Sequence, residues 1–263
     1  MIAEPALPAR ERRQQIAELL REAGRVTVAE LAAQFGVTDV SIRRDLMILE
    51  DAGELRRIHG GAVQARGIRH DAPYALKARE NRELKARIGA VGAALIAAGD
   101  IVVFDSGSTV VNVAIHIPPV LQRGSAITAV TNSLPVIREI AAWDSPHLVC
   151  LGGLYLPDHE ALVGPQTVAD LRELSADVVF IGCDGLTVEE GLTTPHVLVA
   201  EVGATMASRA RRVVAVADST KIGRRGFTPI VPLGAIHVLI SDDGADAAVL
   251  ARASGMGIEV ILA

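Results

Sequence analysis

Aromatic side chains are scarce in this chain of 263 residues, where phenylalanine, tryptophan and tyrosine together make up 3%. Because 50% of the residues are hydrophobic, any core must consist mainly of alanine, valine, leucine and isoleucine, and the length is sufficient for two domains. No apolar run approaches the roughly 20 residues that span a bilayer. The N-terminal segment also lacks the order of a secretory signal. We therefore expect no membrane partner.

Cysteine is almost absent as well. Cys150 and Cys183 each lie close to a glycine at the end of an apolar run, which predicts buried strand ends, reduced thiols and a cytoplasmic location, and argues against a disulfide framework. The 7 histidines show no ligand spacing, so we expect no metal. Neither a dinucleotide-binding fingerprint nor a phosphate-binding P-loop pattern occurs, and we expect no cofactor.

The chain carries charges of both signs, but they are unevenly distributed along it. Residues 1–90 hold 16 Lys and Arg against 13 Asp and Glu, whereas residues 91–263 hold 10 against 18. The first part is thus net positive within a chain of net charge −5. Nucleic-acid binding depends on a local basic surface, so the acidic total does not exclude it.

The N-terminal part predicts two short helices joined by a turn, after a first helix over residues 11–23. Thr27 and Glu30 have the spacing of a capping box at the start of the second helix. Gly36 ends that helix, and Thr38 caps the next one after a turn of about three residues. Two helices joined in this way are typical of a helix-turn-helix.

Two adjacent arginines, Arg43 and Arg44, lie near the start of the third helix. The first residues of a recognition helix reach base edges in the major groove, and arginine suits both guanine and phosphate. An alternative is that the pair is ordinary surface charge with Asp45 as a local partner. The short polar side chains at the same end of the helix are Thr38, Asp39 and Ser41.

A hairpin follows, with strands over residues 55–58 and 62–65 around His59, Gly60 and Gly61, because glycine supplies the positive φ that tight turns need. Together these elements predict a winged helix-turn-helix domain over residues 8–66. Residues 67–85 are polar and strongly charged. We interpret them as a linker that runs into a helix ending at Gly99.

From residue 86 onward we predict a second domain, over residues 86–263. Six runs rich in valine and isoleucine alternate with helical stretches, and each is apolar on both faces, as in parallel strands buried between helices. We predict an α/β domain with a mostly parallel sheet and helices on both faces, where ligands bind at the carboxyl ends of the strands.

Polar or glycine-rich loops follow several of these strands. Each loop by itself could be a simple turn between strand and helix, but together they make a crevice plausible, with small and hydroxyl residues that suit a phosphate. The candidate effector-binding residues are Asp105, Ser106, Gly107, Ser108, Thr109, Thr131, Asn132, Ser133, Gly152, Gly153, Asp184, Gly185 and Lys221.

The motifs of both parts resemble the DeoR/GlpR family of bacterial transcriptional regulators. In the first part these are I-R-R-D-L at 42–46, L-E-x-x-G at 49–53 and R-x-H-G-G-A at 57–62. The resemblance implies that Arg43 and Arg44 contact operator DNA and that the wing contributes further contacts. The residues that we expect at this DNA-binding surface are Thr38, Asp39, Ser41, Arg43, Arg44, Arg56, Arg57, His59 and Gly60.

The second part matches the same family through D-S-G-S-T at 105–109, V-T-N-S-L at 130–134, G-C-D-G-L at 182–186 and A-D-S-T-K at 217–221. The resemblance implies an effector domain with the fold of ribose-5-phosphate isomerase and glucosamine-6-phosphate deaminase, which binds a phosphorylated sugar. One departure is notable. Gly203 and Ala204 stand where relatives usually carry Lys and Arg, which predicts weaker phosphate binding or a different anion.

We therefore predict a non-enzymatic regulator, a repressor of a carbohydrate or polyol operon, which forms a homo-oligomer (dimer or tetramer) and binds operator DNA and a phosphorylated sugar effector. The alternative is an isomerase-like enzyme. In that case Asp105, Asp184 or Glu201 would act as the base, and Lys221 would stabilise an enediolate.

Overall fold

A computed structural model describes residues 7–23, 25–51, 55–58, 60–64 and 73–263. The chain forms two compact units, Met1–Ala72 and Pro73–Ala263. The predicted domain bounds stay predictions, and the second unit begins inside the segment that we interpreted as a linker. Each unit is described separately below.

The described residues of the first unit form three helices and three strands. They are α1 (Ala9–Ala23), β1 (Arg25–Thr27), α2 (Val28–Phe35), α3 (Asp39–Asp51), β2 (Leu55–Ile58) and β3 (Gly61–Gln64). The predicted capping box is confirmed, since the Glu30 N–H donates to Thr27 Oγ1 at 3.2 Å and the Thr27 N–H donates to Glu30 Oε2 at 3.0 Å. Gly36 ends α2 with a φ of 62°.

The predicted hairpin is confirmed with two corrections. Gly61 does not belong to the turn but begins β3, where it pairs with Ile58. The sequence analysis also missed β1, which adds to β3 in the order β1-β3-β2. A Cβ atom on Gly61 would lie 2.1 Å from the Val26 carbonyl oxygen, so the glycine permits the close approach of β1 and β3.

The second unit is larger. Its elements are α4 (Tyr74–Arg79), α5 (Arg82–Ala93), β4 (Ile101–Phe104), α6 (Val110–Ile115), β5 (Thr128–Thr131), α7 (Leu134–Ile140), β6 (His147–Cys150), β7 (Leu154–Leu156), β8 (Ala161–Val163), α8 (Pro165–Arg172), β9 (Ala176–Ile181), β10 (Gly185–Thr187), β11 (Gly191–Thr194), α9 (Val197–Arg209), β12 (Ala210–Val216), β13 (Thr228–Val231), β14 (Val238–Ser241), α10 (Ala247–Gly255) and β15 (Glu259–Leu262).

The predicted continuous helix up to Gly99 is wrong. The chain leaves the helical conformation between α4 and α5, where Asn81 has a φ of 50°, and α5 ends at Ala93. Gly99, with a φ of 90°, lies in the loop that leads into β4. The break matters for the site because it lets two lysines, one from each helix, approach each other.

Seven parallel strands form the main sheet, in the order β15-β14-β12-β9-β4-β5-β6. Apolar side chains cover both faces, with Val103 and Val179 in one buried cluster and Val102 and Val178 in the other. The rings of Phe104 and Phe180 stack with their centroids 5.9 Å apart. The predicted fold class is confirmed, although the small antiparallel sheets β10-β11-β13 and β7-β8 were not anticipated.

The strand order also shows where the chain reverses direction across the sheet, a position called the topological switch point. The chain forms β4 first, adds β5 and β6 on one side, and then places β9 and β12 on the other. Such a reversal opens a crevice between the carboxyl ends of the two central strands. Here these strands are β4 and β9, and the loops that follow them face the crevice.

The two cysteines differ in exposure. Cys183 is partly buried, whereas Cys150 is exposed, so the expectation that both lie buried is wrong for Cys150. The reason is topological, because β6 is an edge strand of the sheet.

In the described part of the chain, every helix is too short or too polar to cross a membrane.

Candidate functional sites

A cleft of about 530 Å³, which includes space open to solvent, lies at the switch point of the second unit. It combines the loops after β4 and β9 with residues of α4, α5, α9 and the segment after β12. Its lining residues are Lys77, Lys85, Asp105, Ser106, Gly107, Ser108, Thr109, His159, Gly182, Cys183, Asp184, Thr194, Val199, Lys221 and Ile230.

Asp105 is the most buried acid of the cleft, with 3% of its surface exposed. Its N–H donates to the Phe180 carbonyl at 3.0 Å, which fastens the end of β4 to β9, and its carboxylate accepts from the Ser106 N–H at 2.7 Å. Burial raises the pKa of Asp105 to about 7, although the N–H groups of Ser106 and Gly182 and the nearby His159 oppose this rise. The carboxyl group therefore titrates near neutral pH.

Three lysines, Lys77, Lys85 and Lys221, line the cleft. Lys77 Nζ donates to Asp184 Oδ1 at 2.7 Å, and Lys85 Nζ donates to the Lys77 carbonyl at 2.5 Å. Burial lowers the pKa of Lys85, and the charges of Lys221 and Lys77 lower it further, against the opposing effect of Asp218 and Glu80. Lysines this close to one another repel, so an anion among them would be stabilised.

The remaining wall is less polar. Val199 and Ile230 line it, and burial raises the pKa of the Cys183 thiol well above its usual range. Gly203, in α9, is buried. A Cβ atom at this position would lie 2.7 Å from Ile230 Cγ2. Gly203, where the resemblance leads us to expect a lysine, thus packs against a residue of the cleft wall.

The structure brings together seven of the predicted effector-binding residues. The residues in the lining are Asp105, Ser106, Gly107, Ser108, Thr109, Asp184 and Lys221. It does not bring Thr131, Asn132, Ser133, Gly152, Gly153 or Gly185 into that lining. Thr131 is the last residue of β5, and the next four follow β5 or β6. These strands lie on the far side of β4 from the switch point.

The residues outside the lining hold the loops together. Thr131 Oγ1 donates to the Phe104 carbonyl at 2.7 Å, and Asn132 Nδ2 donates to the Leu162 carbonyl at 2.9 Å. The Gly152 carbonyl accepts from Thr167 Oγ1 at 2.6 Å. These bonds give the loops a structural role, and a role in effector binding stays a prediction.

Two glycines among them are required by close packing. A Cβ atom on Gly153 would lie 2.2 Å from Thr167 Oγ1, and one on Gly185 would lie 2.4 Å from the Arg224 carbonyl oxygen. The Ser133 side chain is fully buried. Close packing explains the two glycines without a ligand. It does not explain Ser133, because its buried Oγ has no hydrogen-bond partner among the described residues.

The sequence analysis missed several residues of the lining, and the most important are Lys77, Lys85 and His159. One signal was available for Lys85. It lies on the same helical face as Ile88, Gly89 and Gly92, all of which are buried, and a lysine on an apolar face is unusual. Lys77 and His159 gave no comparable signal, because the fold alone brings them to the cleft.

In the first unit, Arg43 and Arg44 are exposed on α3. Asp45 is not their partner, so the alternative that pairs it with them is wrong. Asp45 is 3% exposed and accepts from Arg12 Nε of α1 at 2.7 Å. The helical rotation that turns Asp45 inward leaves the two arginines facing solvent.

The short polar residues next to the arginines are partly engaged in the helix start. Thr38 Oγ1 accepts from the Ser41 N–H at 3.3 Å and lies 3.1 Å from Ser41 Oγ, as expected for the predicted cap. Thr38 and Asp39 are exposed. They remain available to a partner of α3.

The predicted wing residues are placed in part. The exposed Arg57 pairs through its guanidinium with Glu50 of α3, and its N–H donates to Glu50 Oε1 at 2.8 Å. Gly60 has a φ of 81°. The backbone of Arg56 belongs to β2, whereas its side chain and all of His59 lie outside the described residues.

Across the described ranges, no three His, Cys, Asp or Glu side chains form a cluster that could hold a metal.

The sequence matches two family models, the DeoR-like helix-turn-helix domain over residues 12–66 and the DeoR C terminal sensor domain over residues 80–243. The HTH-type transcriptional regulator GlpR of Haloferax volcanii is 34% identical over 255 residues, which covers 97% of this chain and 98% of that protein. The transcriptional repressor AccR of Agrobacterium fabrum is 30% identical over 235 residues, which covers 89% of this chain and 90% of that protein.

Solved structures give weaker matches. Ribose 5-phosphate isomerase A of Methanocaldococcus jannaschii aligns with a TM-score of 0.40 at 16% identity, over 54% of this chain and 55% of that one. Translation initiation factor eIF-2B of Pyrococcus horikoshii aligns with a TM-score of 0.41 at 15% identity, over 90% of each. The two family models and the full-length relatives show that the chain belongs to the DeoR family of helix-turn-helix transcriptional regulators.

Proposed function

We propose that this protein represses a carbohydrate or polyol operon, binds operator DNA through α3 and responds to a phosphorylated sugar in the cleft of the second unit. The composition of the cleft carries the proposal. Lys77, Lys85 and Lys221 supply positive charge, while Asp105 and Asp184 supply acceptors for hydroxyl groups. A ligand with both an anionic group and several hydroxyls matches this combination.

Within the cleft we assign the phosphate to Lys221 and the loop over residues 105–109, and the sugar hydroxyls to Asp105. A buried phosphate requires charged or N–H partners, because leaving it unpaired is costly. The effector acts by binding one of two conformational states better, which shifts the population toward that state. A relative with the word repressor in its name, AccR, supports the direction of control.

A gel-shift competition tests the proposal. The full chain is mixed with the DNA upstream of its own gene, and a panel of sugar phosphates is added, each beside its unphosphorylated sugar. We expect at least one ester to change the fraction of bound DNA while its parent sugar does not. A chain that binds this DNA but ignores every ester would contradict the effector assignment.

The isomerase-like alternative rests on Asp105, because a general base works best with a pKa near the operating pH and this carboxyl has a pKa of about 7. Asp184, the second candidate base, also lines the cleft but accepts from Lys77 Nζ at 2.7 Å. Glu201, the third, is exposed and does not line the cleft. We infer that the protein is not an enzyme. Incubation with each sugar phosphate that binds should leave it unconverted, and turnover would support the alternative.

We predict that Arg43→Ala and Arg44→Ala each weaken operator binding by roughly 1–3 kcal/mol and relax specificity at one operator position. Arg57→Ala is the comparison, since an arginine of the wing contacts the backbone and should weaken all sequences about equally. Binding titrations on the operator and on single-base variants measure both effects. Unchanged affinity in Arg43→Ala and Arg44→Ala alike would exclude docking through this face.

The absence of the expected lysine at Gly203 gives a second prediction. Gly203→Lys adds a charge next to the cleft, but its Cβ must displace Ile230 Cγ2. Gly203→Ala adds the same Cβ without the charge and is the matched control. Calorimetry should show that Gly203→Lys binds the active ester more tightly than Gly203→Ala does. Equal affinities would show that no phosphate lies near this position, and equal binding of sugar and ester to the unmodified chain would refute the phosphate assignment altogether.

Symmetry and location follow from the same proposal. Operator half-sites mirror the two-fold symmetry of the proteins that bind them, so we infer a dimer or tetramer, which sedimentation analysis can measure. A regulator of this kind works where the operator is, and we infer a cytoplasmic location.

A further inference from the structure

One apolar side chain stands out on the exposed face of α3. Val40 is 75% exposed, and it shares a helical face with Arg43, Arg44 and Met47, which follow it by three, four and seven residues. The opposite face buries Ile42, Leu46 and Leu49 in the core of the first unit. Val40 therefore points the same way as the two arginines.

The position of Val40 within α3 adds to this observation. It is the second residue of the helix (Asp39–Asp51), and the first turn of a recognition helix is the part that approaches base edges. Valine is a weaker helix former than most alternatives, and at this exposure it contributes little to the core. Neither helix formation nor burial accounts for its presence.

The chemistry of the major groove offers one apolar group, the 5-methyl group of thymine, which small apolar side chains contact. Valine donates and accepts no hydrogen bonds, so it cannot read the polar pattern of a base pair. The adjacent Arg43 and Arg44 favour a polyanion as the partner of this face, rather than an apolar protein surface. Charge and shape together thus select DNA.

We propose that Val40 packs against a thymine methyl group and selects a T·A pair beside the bases that Arg43 or Arg44 reads. This inference rests on the proposed function, because it requires that α3 docks on operator DNA. It assigns a specificity role to Val40 that is separate from the phosphate and guanine contacts of the arginines.

The test uses the full chain and an operator fragment mapped by footprinting on the upstream DNA. Each thymine is replaced in turn by uracil, which removes the methyl group and leaves the hydrogen-bonding edge unchanged. We expect one replacement per half-site to weaken binding about fourfold, the factor that corresponds to losing one buried methyl group. The same replacement should have no effect on Val40→Ala.

Two controls complete the design. Met47→Ala removes another exposed apolar side chain of the same face and should retain the fourfold methyl effect at that position. Cytosine and 5-methylcytosine at the same position, both paired with guanine, should differ for the unmodified chain and not for Val40→Ala. Because Val40 is so exposed, we expect the variant to keep its thermal midpoint.

The outcomes separate the two proposals. If the unmodified chain binds the operator but no uracil replacement changes its affinity, or if Val40→Ala still distinguishes thymine from uracil, the role of Val40 is refuted while DNA binding stands. If the unmodified chain binds no fragment of its upstream DNA, the proposed function fails and this inference fails with it.

Discussion

Asp105→Asn is expected to abolish the response to the effector while operator binding in its absence stays intact. The carboxylate is buried in the lining of the cleft, where we propose that it accepts hydrogen bonds from sugar hydroxyls, and an asparagine replaces one of its two acceptors by a donor. An unsatisfied group of this kind costs a bound ligand about 1–3 kcal/mol or more. Gel-shift titrations with and without the active ester measure both properties. Equal loss of both would instead indicate that Asp105 is needed for folding.

The pH dependence provides an independent check of the same residue. Burial raises the pKa of Asp105 to about 7, so the carboxyl loses its proton as the pH rises from 6 to 8 and gains acceptor capacity for hydroxyls. Effector affinity of the unmodified chain should rise over this range, and the rise should be smaller in Asp105→Asn.

The free energy of unfolding should fall as the pH rises, whereas the effector affinity should increase. The folded state holds the Asp105 proton up to a pH of about 7, whereas the unfolded chain releases it near 3.8. The folded state therefore binds more protons between these values, and stability falls as the pH rises through this window. Asp105→Asn removes this loss, so its stability relative to the unmodified chain should increase from pH 4 to pH 8, by roughly 3–5 kcal/mol at most. Urea unfolding at the two pH values measures the difference.

The strands of the main sheet were predictable because each is an apolar run bounded by polar or glycine residues, as in Ile101–Phe104 and Val238–Ser241. The order of the strands in the sheet was not predictable, because nothing in an apolar run specifies which strand lies beside it. That order decided which predicted loops meet. Asp105 and Asp184 follow the two strands at the switch point and share the cleft, whereas Asn132 follows a strand on the far side.

Contacts distant in sequence were also beyond prediction. Lys77 reaches Asp184 across 107 residues, and no local pattern at either residue indicates the other. Asp45 shows the same limit at shorter range. The two residues before it are arginines, and their proximity suggested a local pair, but the period of the helix turns it toward Arg12 of α1, 33 residues away. Local periodicity was enough to show which side Ile42 faces and not enough to identify the partner of Asp45.

Asp45→Ala should unfold the first unit and eliminate operator binding. Arg12 and Asp45 are 8% and 3% exposed, and the bond between them joins α1 to α3. Removing the carboxylate leaves the guanidinium buried without its partner, which typically costs 3–5 kcal/mol. This is a large part of the roughly 5–15 kcal/mol that stabilises a domain. The second unit is compact by itself, and we expect it to keep its fold and its effector.

Calorimetric unfolding of the full chain, together with effector titration, measures both expectations. Arg13→Ala is the matched control, because Arg13 lies 3.8 Å from the same carboxylate with a more exposed side chain, and exposed pairs contribute at most about 1 kcal/mol. The double variant Arg12→Met, Asp45→Leu replaces both charges by apolar groups and should recover most of the stability, since no buried charge is left unpaired. If Asp45→Ala binds its operator normally, or if the double variant is no more stable than Asp45→Ala, the ion pair does not hold α3 in place.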